Sequence, residues 1–410
     1  MKSRCWCVLL SVLFCLSACG KGETPALPEQ KGQAYTGNGV RYESRFWETP
    51  ETYPFQDVAG REDDLSEGNI RALFFRGADY KGAETRVFAY LGLPAGADGE
   101  TRAPGVVLVH GGGGTAYKEW VRAWTDRGYA ALAIDYQGNM PLKDCPIDTA
   151  RYVEIPGFTA PKNVSFADGK EAAEDQWMYW ATSAAILANS LLRAQPQVDP
   201  ARVGIAGISW GSIVTAVTIG YDARFAFAVS IYGGLYNAEA ETHFKDDFAA
   251  NPGALIWDDI RPLQACSVPA LYAVWSRDSG FTIRSVARTA AAQPNASLTV
   301  RENWYHSHGG GMALGEAYAF ANACCGLGRP FPALALEGND IKLTLPAGAS
   351  AVSASLSYTY DTLINGGTAW ESVSLPSADA FANACPTGWE YRYVSVTDDR
   401  GNVVSAFQGR

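Results

Sequence analysis

The chain has 410 residues, 47% of them hydrophobic and 19% charged, with a formal net charge of −10. That apolar share can bury one large core and leave roughly 80 to 100 residues for a smaller module, which excludes a disordered chain. No basic run interleaved with aromatics occurs, so a nucleic-acid partner is excluded and the acidic balance reads as a solubilising surface.

Lys2 and Arg4 precede an apolar stretch from Cys5 to Leu16 that is too short to span a bilayer and runs into L-S-A-C-G. Residues 1–18 therefore read as a cleaved secretory signal. The small residues before Cys19 resemble a bacterial lipoprotein processing box. This implies acylation of Cys19, a polar tether over residues 19–35, and a place in the bacterial cell envelope with membrane contact only through the lipid. An ordinary signal peptide cut nearby is the alternative. Export puts Cys145, Cys266, Cys324, Cys325 and Cys385 in an oxidising compartment, where structural disulfides are expected. Their number is odd, so at least one stays free or pairs outside the chain.

Short β-rich runs follow at 86–91 (R-V-F-A-Y-L), 105–109 (G-V-V-L-V), 129–134, 202–206 (R-V-G-I-A), 225–231, 270–275 (A-L-Y-A-V-W) and 297–302. Most are continuously apolar, as strands covered on both faces must be. Helical patterns lie between them at 116–127, about 171–194, 210–220, 281–292 and 311–323, and in the long one Trp177, Trp180, Ala181, Ala184, Leu187, Ala188 and Leu191 keep one face apolar. The alternation predicts a mostly parallel α/β sheet over a catalytic domain of residues 36–328.

In that register H-G-G-G-G (110–114) follows one strand and G-I-S-W-G (207–211) joins another to a helix. A strand-to-helix turn this tight needs glycine on both sides of Ser209, which makes Ser209 a candidate nucleophile. Gly112 or Gly113 would supply one backbone donor to an oxyanion and Trp210 the other. Asp278 sits in the turn after the strand at 270–275, and His306 and His308 come just after the next one. His306 is the expected base, being nearer the strand end, with His308 as the alternative. His110 reads as a loop-stabilising hydrogen-bonder, Asp135 as a loop or capping residue, and His243 as surface or pocket rim. With four histidines and no C-x-x-C or H-E-x-x-H spacing, no metal or cofactor is expected.

Taken together, L-V-H-G-G-G-G, V-D-P-A-R-V-G-I-A-G-I-S-W-G-S and the Asp278 and His306 turns resemble the α/β-hydrolase superfamily, in its dienelactone-hydrolase-like and acetylxylan-esterase-like branch, over about residues 84–325. The chain has Ser209 where true dienelactone hydrolases have cysteine, and D-Y-Q-G at 135–138 where the acetylxylan and cephalosporin deacetylases carry R-G-Q. The resemblance implies ester hydrolysis through an acyl-serine, on a small-molecule or glycan ester such as an acetylated carbohydrate. A prolyl-oligopeptidase-type peptidase, a lipase-like carboxylesterase and a non-catalytic surface binding lipoprotein are the alternatives.

Past residue 328 the pattern changes to alternating apolar and polar residues with turn clusters, D-D-R-G-N at 398–402 among them. Residues 329–410 are therefore expected to form a small β-sandwich-like accessory module. A disulfide from Cys324 or Cys325 to Cys385 would tie it to the catalytic domain. A vicinal Cys324–Cys325 bridge, or a bond from either to Cys145 or Cys266, is the competing arrangement.

Overall fold

The computed structural model describes residues 30–61 and 64–410, so the expected secretory signal, Cys19 and most of the expected tether lie outside the described residues. No helix among the described residues is long and apolar enough to cross a membrane.

The described chain begins with β1 (Thr52–Pro54), the short helix α1 (Phe55–Ala59), β2 (Ile70–Arg76) and β3 (Arg86–Gly92). β4 (Ala103–Val109), α2 (Lys118–Thr125) and β5 (Ala130–Ile134) come next. A two-stranded ribbon, β6 (Asn139–Pro141) and β7 (Tyr152–Glu154), precedes α3 (Trp177–Arg193). β8 (Val198–Ile208) passes directly into α4 (Trp210–Tyr221), and β9 (Ala228–Ile231) leads through α5 (His243–Ala250) and α6 (Arg261–Gln264) to β10 (Ala270–Trp275). Then come α7 (Ile283–Ala292), β11 (Ala296–Arg301), α8 (His308–Met312) and α9 (Gly315–Cys324). The C-terminal stretch adds β12 (Ala333–Glu337), β13 (Asp340–Thr344), β14 (Ala351–Thr359), β15 (Glu371–Leu375), α10 (Phe381–Ala384), β16 (Tyr391–Asp398) and β17 (Val403–Gly409).

Thirteen strands share one sheet in the order β1-β2-β3-β5-β4-β8-β9-β10-β11-β17-β16-β14-β15. The six strands from β5 to β11 are parallel, and β3, β2 and β1 extend one side antiparallel. β4, β5 and β9 are buried along their whole length, the state that their unbroken apolar runs require. β2 was not among the expected strands. Its I-R-A-L-F-F-R sequence pairs with β3 and buries Phe74 against Phe55 and Phe88.

The long helix α3 departs from a one-faced amphipathic element, because every residue from Trp177 to Leu192 is buried. Its second face is covered by the segment containing Phe46 and Trp47, with Ser190 Oγ donating to Phe46 O at 2.7 Å. Asn189 Nδ2 donates to Asp222 Oδ2 at 2.9 Å, and that carboxylate pairs with Arg224 at 2.7 Å in the same buried region. Polar groups on a helix buried all round need such partners.

Over 329–410, β17, β16, β14 and β15 form an antiparallel sheet with the β12–β13 hairpin and α10 packed on one face around their own hydrophobic cluster, and β17 joins the main sheet at the edge of β11 through the pair Leu298–Ser405. The edge of β11 offers unpaired backbone groups, and β17 meets it at one residue pair and through side-chain hydrogen bonds. Val300 N–H donates to Ser405 Oγ at 3.0 Å and Thr299 Oγ1 donates to Val403 O at 2.6 Å. Buried Glu316 on α9 locks the junction by accepting from Val403 N–H at 2.9 Å and pairing with Arg301.

The expected disulfide between Cys385 and Cys324 or Cys325 is not formed, and Cys145, Cys266, Cys324, Cys325 and Cys385 are all free. Cys324 and Cys325 pack in the core beneath α2 and α9, whereas Cys385 belongs to the cluster under the C-terminal strands. Burial pushes the Cys266 and Cys325 thiols up to about 11 and Cys324 to about 12, so these thiols stay protonated at neutral pH.

Sheets joined at β17 and locked by buried Glu316 should melt as one unit. Calorimetry is expected to show a single cooperative transition. Leu356→Ala, at a fully buried position in the C-terminal cluster, should lower the stability of that whole transition by ~2–5 kcal/mol. Two separable transitions, with only one sensitive to Leu356→Ala, would contradict the shared sheet.

Candidate active site

β8 ends at Ile208 and α4 begins at Trp210, so Ser209 alone makes the turn, with φ 58° and ψ −120°. For a non-glycine residue such a conformation costs ~1–3 kcal/mol and persists only where the surroundings impose it. Here Ser209 N–H donates to Ile231 O at 2.8 Å, and Ser212 Oγ donates to Ser209 O at 2.5 Å. The flanking glycines are required by contact. A Cβ on Gly207 would fall 2.0 Å from Gly211 O, and one on Gly211 would fall 2.1 Å from Val109 O. The turn lifts Ser209 to the carboxyl edge of the sheet, with the positive end of α4 beneath it.

Two neighbouring strand ends supply its partners. Asp278, buried in the turn after β10, accepts at Oδ1 from the N–H groups of Gly280 (2.8 Å) and Phe281 (2.9 Å). Its Oδ2 is left for His306 Nδ1 at 2.8 Å. His306, in the loop after β11, places Nε2 2.7 Å from Ser209 Oγ. The imidazole face is stacked on Tyr232, with ring centroids 4.6 Å apart, and Tyr232 in turn donates its hydroxyl to Tyr305 O at 2.6 Å. Tyr232 did not stand out in the sequence. Its left-handed backbone, φ 57° just past β9, is visible only in three dimensions.

His308 occupies a different environment. It is buried against Tyr117 and Trp120, neither ring nitrogen has a hydrogen-bond partner, and its backbone N–H is held by Asp148 Oδ1. Burial pushes its pKa down to about 3, so it is neutral at working pH and makes no bond to Ser209. His110 is also buried, with Nδ1 2.7 Å from Gly111 O, and burial lowers its pKa as well. Asp135 organises the following loop. Its Oδ1 accepts from the N–H groups of Gln137 and Asn139, both at 2.9 Å, and its Oδ2 accepts from Thr115 Oγ1 at 2.8 Å. His243 begins α5 with its ring against Phe244.

The glycine run lies against Ser209. A Cβ on Gly111 would sit 3.3 Å from Ser209 Cβ, and one on Gly112 would sit 2.5 Å from Trp210 Cδ1. Gly113 adopts φ +70° and lines the same cleft of ≈ 200 Å³ as Ser209 and His306. Trp210 N–H, in the first turn of α4, has no acceptor within the helix. A side chain at Gly111, which the sequence did not single out, would meet Ser209, whereas one at Gly112 would meet Trp210 and one at Gly113 would meet nothing within 4 Å. Among the described residues no cluster of three or more His, Cys, Asp or Glu is placed to hold a metal ion.

The family model described as Dienelactone hydrolase family matches residues 87–255, a span that contains the glycine loop and Ser209 but ends before Asp278 and His306. No curated protein sequence matches the chain. Among solved structures, acetyl xylan esterase 1 from a Thermoanaerobacterium species is 14% identical with a TM-score of 0.48, over 64% of this chain and 87% of that one. An acetyl xylan esterase from a Paenibacillus species is 17% identical with a TM-score of 0.47, over 65% and 94%. A puromycin-hydrolysing peptidase from Mycobacterium tuberculosis is 20% identical with a TM-score of 0.45, over 64% and 40%. The family match and the sheet order identify an α/β-hydrolase fold.

The buried histidines make acid stability predictable. A histidine whose folded pKa lies below its unfolded value of 6.5 costs nothing above that pH. As pH falls below 6.5 the unfolded chain takes up the proton and the folded chain does not, so stability drops. For His308 the slope approaches ~1.4 kcal/mol per pH unit in this window. Thermal melts of His308→Phe should therefore lose less stability than wild type between about pH 6.5 and 4. Equal acid sensitivity in the two proteins would show that His308 is already protonated when folded.

Proposed function

We propose, on the match of residues 87–255 to the Dienelactone hydrolase family model, that this domain is a dienelactone-hydrolase-like α/β-hydrolase and that Ser209 is the nucleophile of a carboxylic ester hydrolase. The observation that carries the reading is the unbroken hydrogen-bond chain from Ser209 Oγ through His306 to Asp278. Serine is a weak nucleophile unless a base takes its proton as it attacks. His306 Nε2 accepts that proton, Oγ bonds to the ester carbonyl carbon, and the carbonyl oxygen becomes an oxyanion held by backbone N–H groups from the Gly111–Gly113 run and Trp210. His306 then protonates the leaving alcohol. Water, deprotonated by the same nitrogen, attacks the acyl-serine and releases the acid.

Asp278 keeps Nδ1 protonated and stabilises the imidazolium formed in each half-reaction. Its two backbone N–H donors hold that carboxylate in the orientation the histidine needs. The substrate class we assign is an acylated carbohydrate. The N-terminal leader and Cys19 support placing the enzyme on a lipid anchor at the bacterial envelope.

With 4-nitrophenyl esters of increasing chain length, turnover should be highest for short acyl groups. Ser209→Ala should reduce it by ~10⁶, and His306→Ala should be comparably damaging because the two residues act as one unit. Circular dichroism checks that each variant is folded. Activity of Ser209→Ala within about tenfold of wild type would remove Ser209 from the chemistry.

A further inference from the structure

At the carboxyl ends of β10 and β11, where the C-terminal strands meet the parallel sheet, a second cleft of ≈ 260 Å³ opens. Trp275, Trp304, Tyr305 and Trp370 form its aromatic walls, and Arg277 and Glu302 are its charged groups. Five of the described tryptophans keep some exposure, and three of them line this one cleft. Their indole N–H groups are tied down: Trp275 to Glu302 O at 2.9 Å, Trp304 to Gly310 O at 3.3 Å, and Trp370 to Ser276 O at 3.1 Å. The rings are thereby fixed before any ligand arrives. Tyr305 is 76% exposed, an expensive position for an aromatic ring that has no partner to cover it.

The lining selects a chemistry. One arginine and one glutamate leave no net charge to favour an ionic ligand. Tyr305 and Trp275 meet at 54° with centroids 5.5 Å apart, which closes off a parallel slot between them for a flat aromatic group. Glu302 Oε1 is held by the hydroxyls of Ser357 (2.7 Å), Tyr393 (3.0 Å) and Ser372 (3.1 Å), so the carboxylate is oriented in advance. Fixed aromatic faces beside oriented polar groups suit a pyranose ring, which is apolar on its C–H face and hydroxylated round its rim.

The cleft also adjoins the catalytic loop. Residues 302–307 give it Tyr305 and give the neighbouring site His306, and Trp304 packs at 4.1 Å on the Tyr232 ring that supports that histidine. We infer that the cleft is a subsite for a neutral glycosyl unit, holding the carbohydrate side of an ester whose acyl group is transferred to Ser209. The inference rests on the ester-hydrolase reading given above.

The test uses full-length Ser209→Ala, which cannot turn substrate over, titrated calorimetrically with xylohexaose and with cellohexaose. At least one should bind saturably at millimolar concentration or below. Adding Trp370→Ala or Tyr305→Ala should weaken that binding by about tenfold or more, and Trp370→Phe should retain it. Tyr305 is exposed enough that its truncation leaves the fold intact even if Trp370→Ala does not fold. No saturable binding of either oligosaccharide, or binding unaffected by Tyr305→Ala, would overturn the subsite. So would ferulate binding more tightly than both, which reassigns the cleft to a flat aromatic group. Turnover of 4-nitrophenyl acetate by the wild-type enzyme reports separately on the ester-hydrolase reading, so failure of one is distinguishable from failure of the other.

Discussion

The close approach of three backbones around Ser209 governs the rest of the molecule. The first turn of α4 presses so tightly on β8 and on the end of β4 that only glycine fits at positions 207 and 211. That contact forces Ser209 into its strained turn and aligns it with the start of the glycine run, because β4 and β8 are neighbours in the sheet although about ninety residues separate them. The chain runs outward from β4 toward β5 in one direction and from β8 toward β11 in the other. The crevice at this reversal is where an open parallel sheet presents its loops to a ligand.

The strands beyond β11 contribute to the same edge. β17 closes the edge of β11, and Glu316 joins β17, β11 and α9 through buried polar contacts. The C-terminal strands and the segment before β15 then reach back to the loops that carry Asp278 and His306: Trp370 Nε1 donates to Ser276 O, and Ser357 on β14, Ser372 on β15 and Tyr393 on β16 converge on Glu302. Both loops are thus packed between Ser209 on one side and the C-terminal strands on the other. Side chains of the C-terminal region restrain the backbone a few residues from Asp278 and from His306, which holds the hydrogen-bond chain in register.

Local chemistry made much of this legible before the fold was known. Unbroken apolar runs such as V-V-L-V mark strands covered on both faces, and Gly-x-Ser-x-Gly between a strand and a helix marks a turn that no other residue type can make. β2 was missed because its burial follows from pairing with β3, and the second buried face of α3 because a distant segment, Ser44–Trp47, covers it. The cysteines could be counted but not paired, since pairing depends on how the fold orients each thiol: Cys145, Cys324 and Cys325 share one hydrophobic cluster, yet no disulfide is formed among the described residues.

What the sequence by itself determined is therefore the alternating sheet, the tight strand-to-helix turn at Ser209, and the chain order of serine, aspartate and histidine, all set by steric and periodic rules that act over a few residues. Only the tertiary structure decided between His306 and His308. They lie two positions apart on one loop, yet one ring meets Ser209 and Asp278 while the other is sealed against Tyr117 and Trp120. It also decided that the β-rich module of the last eighty residues docks the edge of its sheet on β11. Alternating strands carry the same pattern whether they pair among themselves or with the open edge of β11, and that choice belongs to the partner surface.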